Sequence, residues 1–116
     1  MSQVRIYHNP RCSKSRETLA LLESQGIEPA VTLYLEQAPS EDEIRELLGQ
    51  LGFNDPRQLM RTKEDLYREL GLAAQQGDAL IKAMVAHPKL IERPIVICNG
   101  RARLGRPPEQ VLEILD

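Results

Sequence analysis

The sequence predicts an α/β fold built on a mixed four-stranded sheet. Three patterns indicate it: an N-terminal strand–helix–strand unit, a long helical insertion, and a C-terminal pair of strands followed by a helix. A length of 116 residues suits one hydrophobic core, and 41% hydrophobic with 28% charged residues is an ordinary globular composition. We therefore expect residues 1–116 to form a single domain.

The N-terminal unit supplies two strands and a helix. Alternating apolar side chains predict a strand over residues 4–7, followed by a turn. Either Ser13 or Ser15 is expected to cap the helix, which should run to about residue 25. An apolar run predicts the second strand over residues 30–35. Two strands joined through a helix should be parallel, with a right-handed crossover.

The middle of the chain, from about residue 38 to residue 90, reads as a helical insertion. Ser40 and Glu43 have the spacing of a capping box, and apolar side chains at helical spacing follow them. Asp55-Pro56 has the pattern of an N-cap and first helical residue. A further helix is predicted over residues 80–86 because a proline follows soon after it.

The C-terminal unit begins at Pro94 with a run of β-branched residues. Asn99-Gly100 is typical of a type I′ hairpin turn and should return the chain through residues 101–104. Pro107-Pro108 then begins a final helix. The complete order is β-α-β, helical insertion, β-β-α, which is the order of a thioredoxin-like fold.

Charge and composition exclude several classes of partner. A net charge of −2, from 15 basic and 17 acidic residues, gives no electrostatic reason to expect nucleic acid or an anionic membrane. No apolar run approaches the roughly 20 residues that span a bilayer, and the N-terminus has no signal-peptide pattern. Two cysteines, Cys12 and Cys98, fit a cytoplasmic monomer better than a disulfide scaffold. No histidine or cysteine spacing indicates a metal site.

Cys12 is the candidate nucleophile because it lies in the turn between the first strand and the first helix. Unpaired N–H groups and the partial positive charge at a helix N-terminus favour a thiolate. The nearby cations Arg11, Lys14 and Arg16 should act in the same direction, as should His8 when protonated. The same N–H groups can hold a small oxyanion. The alternative is a buried structural cysteine.

Cys98 is expected to be a core residue. Pro94 marks the end of the third strand that is expected near Cys12, and Cys98 lies four residues further on, or roughly 13 Å at the rise of a strand. That separation is too large for a disulfide with Cys12. Ser15 stands where a dithiol enzyme has its second cysteine. An external thiol must therefore complete any redox reaction of Cys12.

The motif Asn9-Pro10-x-Cys12-x-x-Ser15-Arg16 resembles the signature of the glutaredoxin-coupled arsenate reductases. The resemblance continues in order through Tyr34-Leu35-Glu36, Leu59-Met60-Arg61, Glu69-Leu70-Gly71-Leu72, His87-Pro88, Arg93-Pro94-Ile95-Val96 and Gly105-Arg106-Pro107-Pro108-Glu109. The resemblance covers nearly the whole chain, and the motifs are similar to those of small bacterial members of the family.

The resemblance implies an oxyanion site made of Arg61, Arg93 and Arg106. Guanidinium groups pair bidentately with the oxygens of a tetrahedral anion such as arsenate. Any one of these arginines, taken alone, is more often a solvated surface charge, whereas the set of three favours the oxyanion site. The resemblance also implies that the bond before Pro94 is cis and that this proline faces Cys12.

Two further roles come from the resemblance. His8 is expected to help lower the pKa of the thiol, or else to be a histidine bonded to backbone at a strand end. Ser15 is expected to cap the helix and to donate to the thiolate. Cys12 would attack arsenate, glutathione would attack the adduct and release arsenite, and glutaredoxin would clear the remaining disulfide. No bound cofactor is implied.

Three other functions share either the cysteine nucleophile or the fold. A low-molecular-weight phosphatase needs Cys-x5-Arg, but Thr18 occupies the arginine position. A glutaredoxin-like thiol exchanger would use the same Cys12. A regulator resembling the Spx proteins, which bind RNA polymerase, usually carries a Cys-x-x-Cys switch that Ser15 removes here. The exchanger and the regulator stay open as alternatives to the reductase.

Overall fold

The computed structural model describes residues 3–115, and their contacts divide the chain into two compact units. The first contains the described parts of Met1–Gln37 and Arg93–Asp116, and the second is Ala38–Glu92. The second unit corresponds closely to the helical insertion expected at about 38–90. The single domain expected for residues 1–116 stays a prediction.

The first unit contains a mixed sheet of four strands in the order β2-β1-β3-β4. Its strands are β1 (Val4–Tyr7), β2 (Ala30–Thr32), β3 (Ile95–Cys98) and β4 (Arg101–Leu104). The pair β1/β2 is parallel, whereas β1/β3 and β3/β4 are antiparallel. This arrangement is the predicted thioredoxin-like sheet.

The strand β2 is shorter than predicted. It ends at Thr32, whereas the apolar run continues to residue 35. The carbonyl of Leu33 accepts the N–H groups of Glu36 and Gln37, both at 2.9 Å, so the chain turns here. Tyr34 is 2% exposed although it lies outside the strand. An apolar run indicates that a segment is buried but not that it is a strand, and here the buried Tyr34 lies in a turn.

The helix α1 (Ser13–Ser24) begins at the N-cap Cys12. The predicted caps were wrong, because no side chain caps this helix and Ser15 is a buried residue of its first turn. Leu22 is fully buried, which contributes roughly 1.5–3 kcal/mol of hydrophobic stabilisation. One face of the sheet, α1 and the C-terminal helix form a core cluster of Val4, Ile6, Leu22, Val96, Cys98, Val111 and Ile114.

The C-terminal part confirms the predicted hairpin. Asn99 (φ 55°) and Gly100 (φ 75°) both occupy the left-handed region, as a type I′ turn requires. The final helix (Pro108–Ile114) is a 3-10 helix with Pro108 at its first position. The peptide bonds Arg93–Pro94 and Arg106–Pro107 are cis, the first as expected from the resemblance.

The second unit is helical throughout. It contains α2 (Glu41–Leu51), α3 (Asp65–Glu69), α4 (Asp78–Ala86) and the short 3-10 helices Pro56–Leu59, Leu72–Ala74 and Pro88–Leu90. The capping box of Ser40 and Glu43 and the Asp55 cap are present as predicted. The helix α3 was not predicted because it buries no residue and so has no apolar periodicity. Among residues 3–115, no helix combines the length and apolar character needed to cross a bilayer.

Gly105 allows a close approach between segments of the first unit. A Cβ atom at this position would lie 2.4 Å from Thr18 Oγ1 and 2.7 Å from Pro94 Cγ. Neither neighbour can easily move, since the proline ring is rigid and Thr18 Oγ1 donates to the carbonyl of Lys14 at 2.8 Å. Gly105 N–H also donates to the carbonyl of Pro94 at 3.0 Å, which fixes the separation.

Replacing Gly105 by alanine should therefore lower the free energy of unfolding by about 1–3 kcal/mol, the usual cost of overpacking. Gly49→Ala is the matched control, because a Cβ there meets nothing within 4 Å. Gly49 lies inside α2, so alanine should stabilise by about 0.5–1 kcal/mol. Urea unfolding of both variants measures the difference, and equal stability of Gly105→Ala and wild type would contradict the packing argument.

Candidate active site

A tight turn between β1 and α1 positions Cys12. The N–H of Cys12 donates to the carbonyl of Asn9 at 3.0 Å, and the Asn9 side-chain oxygen accepts the N–H of Arg11, also at 3.0 Å. Asparagine favours such turns because its side chain can bond to the backbone two residues later. Cys12 is consequently held in an extended conformation (φ −98°, ψ 123°) at the first turn of the helix.

The Cys12 thiol is half-buried, and several groups act on its pKa. Burial raises the pKa, but the Ser15 N–H, the charge of Arg93, the Lys14 N–H and a hydrogen bond from the Arg93 side chain all lower it. The balance leaves the pKa of Cys12 below the ordinary value. The sulfur thus accepts N–H groups that a helix N-terminus otherwise leaves without partners.

The cation that lowers the pKa of Cys12 is Arg93, from the far end of the sequence. This corrects the expectation that cations adjacent in sequence would do so. The three expected cations were Arg11, Lys14 and Arg16. Lys14 Nζ instead lies 3.5 Å from Glu17 Oε2, and Arg16 Nη1 donates to the carbonyl of Pro10 at 2.9 Å.

The surroundings of His8 disfavour the protonated ring that would add a positive charge to the site. Its ring is buried, and burial followed by the charge of Arg16 lowers its pKa, which favours the neutral form. Nδ1 of His8 lies 2.6 Å from the Ser15 hydroxyl. His8 therefore acts in the structure as an anchor for the first turn of α1.

The Ser15 hydroxyl bonds away from the sulfur, which corrects its expected role. Ser15 Oγ accepts the N–H of Asn9 at 2.9 Å in addition to its bond with His8. The part of Ser15 that lowers the pKa of Cys12 is the backbone N–H. The buried hydroxyl instead joins the turn before Cys12 to the helix after it.

Arg106 lies beside Arg93 in the first unit. Arg106 Nε donates to the carbonyl of Arg93 at 2.9 Å, and the Arg106 side chain is exposed. Pro94 follows Arg93 and contacts the position of Gly105. Two of the three predicted arginines are therefore joined to each other, and one of them acts on Cys12.

Arg61 belongs to the second unit. Its N–H donates to the carbonyl of Leu90 at 2.7 Å, and its Nη1 lies 3.0 Å from Glu64 Oε2. Lys89 Nζ lies 3.6 Å from the other oxygen of Glu64. Any anion that binds Arg61 must compete with the Glu64 carboxylate. The role of Arg61 as a substrate ligand stays a prediction.

Cys98 lies in the core, as predicted. It is 1% exposed and pairs with Val4, whereas Tyr7, at the end of β1 that leads to Cys12, pairs with Ile95. Cys98 is therefore at the opposite end of the sheet from the turn that carries Cys12. Within residues 3–115, no three side chains of the usual ligand types come together to hold a metal ion.

Sequence reasoning did not find the packing of Thr18 against Gly105. In the sequence, Thr18 only excludes a phosphatase loop, and a glycine close to prolines, such as Gly105, can serve many structural purposes. The side-chain-to-backbone bond of Thr18 and the contact with Pro94 become visible only when residues distant in sequence are brought together.

The profile of the ArsC family matches residues 7–114, which include every element described above except the first residues of β1. The chain belongs to the ArsC family. This confirms the family indicated by the motifs around Cys12 and the three arginines.

Relatives within the ArsC family cover nearly the whole chain. A protein of Escherichia coli strain K12, named uncharacterized protein YfgD, is 64% identical, covering 97% of both chains. An arsenate reductase of Haemophilus influenzae is 55% identical, covering 95% of this chain and 97% of that protein. The solved structure of an arsenate reductase from Vibrio cholerae has a TM-score of 0.95 at 66% identity, covering 97% of this chain and 98% of that one.

The environment of Cys12 predicts that the pKa of its thiol lies below the ordinary value for a cysteine. Ultraviolet absorbance of the thiolate as a function of pH, after subtraction of a Cys12→Ser titration, measures the midpoint. Arg93→Gln should raise it, because a positive charge and a hydrogen bond to the sulfur are lost. Arg11→Gln, an adjacent exposed cation, is the control. A larger effect of Arg11→Gln than of Arg93→Gln would refute the assignment.

The lowered pKa of His8 predicts a pH dependence of stability. Just below pH 6.5 the unfolded chain binds a proton at His8 that the folded chain does not. The contribution of His8 to the free energy of unfolding is therefore complete above pH 6.5 and decreases as the pH falls below that value. His8→Gln should remove this slope. The variant should also lower the free energy of unfolding by about 1–3 kcal/mol at pH near 8, because the buried Ser15 hydroxyl loses its bond to the ring and keeps only the one from the N–H of Asn9. Urea unfolding at several pH values tests both effects, and an unchanged slope in the variant would contradict the first.

Proposed function

We propose that this ArsC-family chain is an oxidoreductase that reduces arsenate to arsenite, with Cys12 as the nucleophile. The observation that carries the proposal is a thiol with a lowered pKa at a helix N-terminus, beside Arg93. Relatives that cover nearly the whole chain at 55% and 47% identity are named arsenate reductases. Thiolate, rather than thiol, is the attacking species in such chemistry.

The arginines are proposed to bind the oxyanion. Arsenate carries roughly one to two negative charges at neutral pH, and guanidinium groups match its oxygens. Arg93 is well suited because it already acts on Cys12, and Arg106 is joined to the backbone of Arg93. Arg61 is included on the resemblance of its motif. Its ion pair with Glu64 would be exchanged for one with the substrate.

The first chemical step forms a sulfur–arsenic bond. The Cys12 thiolate attacks the As(V) centre, and an arsenate oxygen leaves as water after protonation. Arsenic stays at the same oxidation state in this step. The backbone N–H groups of Lys14 and Ser15 and the positive charge of Arg93 stabilise the thiolate beforehand. The arginines also offset negative charge on the arsenic oxygens as the bond forms.

The second step requires an external thiol. A glutathione thiolate attacks Cys12 Sγ, forming a sulfur–sulfur bond while the sulfur–arsenic bond breaks. The bonding pair goes to arsenic, which leaves as As(III) in arsenite. Glutaredoxin then reduces the Cys12–glutathione disulfide. Cys98 is unsuited to this step, because it is buried at the opposite end of the sheet.

The working context follows from this chemistry. We propose that the protein acts as a cytoplasmic monomer with no bound cofactor, since glutathione supplies the electrons and thiols stay reduced in the cytoplasm. Glutaredoxin is the proposed protein partner. Nucleic acid and membranes are not expected partners at a net charge of −2.

A second candidate function uses the same features. A half-buried monothiol with a lowered pKa, and a serine in the place of a resolving cysteine, also suits glutaredoxin-like exchange with mixed disulfides. That reaction does not require an arginine oxyanion site. Dependence on the arginines therefore distinguishes the two functions.

The proposed function predicts arsenite release from arsenate in the presence of glutathione and glutaredoxin. Cys12→Ser should abolish it, and Arg93→Gln should lower kcat/KM by about 10²-fold or more, as expected when a charge-stabilising donor is lost. Cys98→Ala is the control and should retain activity. Turnover of a glutathione mixed disulfide without any arsenate reduction by wild type would favour the exchanger instead.

A further inference from the structure

A groove borders the turn that carries the nucleophile. One wall is the segment Asn9–Arg11, immediately before Cys12, and the other is formed by Leu33, Leu35 and Glu36 after β2. Its volume is about 310 Å³, and all of its lining residues belong to the first unit. The groove exists because β2 ends early and the chain turns at Leu33.

The groove presents opposite charges on its two walls. Arg11 is the cation on one wall and Glu36 is the carboxylate on the other. Within residues 3–115, neither charged group has a hydrogen bond or an ion pair with another side chain, so both remain available to a ligand. Leu35, which also lines the groove, is 46% exposed and offers an apolar surface to a ligand. A ligand with both charge types and a short apolar centre fits this pattern.

We propose that this groove is the binding site for glutathione. The proposal rests on the proposed function, because it assigns a place to the thiol that resolves the Cys12 adduct. Glutathione carries one ammonium group and two carboxylates on a tripeptide. The ammonium group binds Glu36, a carboxylate binds Arg11, and the central cysteinyl residue lies over Leu35. The thiol then approaches Cys12, the residue that follows Arg11.

A second groove, along α1, is a poorer site for the same ligand. It is lined by Lys14, Glu17, Pro107, Pro108 and Glu109 among others. Its cation and one of its carboxylates already face each other, with Lys14 Nζ 3.5 Å from Glu17 Oε2. A zwitterionic ligand would have to break that pair. The groove beside Asn9–Arg11 requires no such exchange.

Binding is tested with S-methylglutathione, which cannot react, and the full chain carrying Cys12→Ser. Glu36→Lys and Arg11→Glu should each weaken binding by about threefold or more, the range for exposed ion pairs. The matched reversals Glu28→Lys and Arg101→Glu change exposed charges elsewhere in the first unit and should leave affinity unchanged. Titration calorimetry gives the affinities. Lack of binding to the parent protein, or equal binding by all variants, overturns the proposal.

A kinetic test follows the resolving step without arsenate. Cys12 is first converted to a mixed disulfide with thionitrobenzoate. An incoming thiolate then attacks Cys12 Sγ, a new disulfide forms, and coloured thionitrobenzoate leaves with the bonding pair. Glu36→Lys and Arg11→Glu should slow release by glutathione about threefold or more relative to release by 2-mercaptoethanol, because both thiols attack as thiolates but only glutathione carries further charged groups. Equal slowing by both thiols would mean altered Cys12 reactivity and would overturn the proposal.

The two proposals fail in different ways. If the chain binds S-methylglutathione through Arg11 and Glu36 but never releases arsenite, the groove is assigned correctly and the proposed reductase function is wrong. If the chain reduces arsenate but neither charge reversal changes its binding of S-methylglutathione or its reaction with glutathione, only the assignment of the groove is wrong. If the reversals weaken only the reaction with glutaredoxin, the groove is a protein-docking surface and the glutathione assignment is wrong.

Discussion

The contact on which the site depends is the one between the Cys12 sulfur and the donors around it. Partial burial would by itself raise the pKa of the thiol, so the backbone N–H groups of Ser15 and Lys14, together with Arg93, must outweigh that effect. The first two donors come from the start of α1 and the third from the segment before β3. Activation of the thiol therefore requires the sheet to bring two distant parts of the chain together.

Local hydrogen bonds make that arrangement stiff. The buried Ser15 hydroxyl bonds both the ring of His8 and the N–H of Asn9, so the end of β1, the turn and the helix are linked at one point. A neutral His8 suits this role, since a charged ring in the same place would lie near Arg16. Histidine and serine thus fix the position of the backbone donors, while Arg93 supplies the positive charge.

Much of this could be predicted from sequence, where the signal is local. The β1–α1 turn, the Ser40 capping box and the Asn99-Gly100 hairpin depend on residues close in sequence, and each was predicted correctly. The errors arose where proximity in sequence was taken for proximity in space. Cations next to Cys12 were expected to activate it, but Arg93 does so. An apolar run does not distinguish a buried turn from a strand, and α3 has no apolar face to detect.

A single reactive cysteine also constrains how the reaction can end. The only other cysteine of the sequence, Cys98, is buried in the core, where its strand residue pairs with Val4, so the proposed reaction must take its electrons from a separate molecule. In the proposed reaction the oxyanion and the reducing thiol must both reach the same sulfur, and we propose different residues for the two. Arg93 and Arg106 are joined to each other, whereas the groove is lined by other residues, among them Arg11 and Glu36. Selectivity for the reductant can then change without altering the groups that activate Cys12.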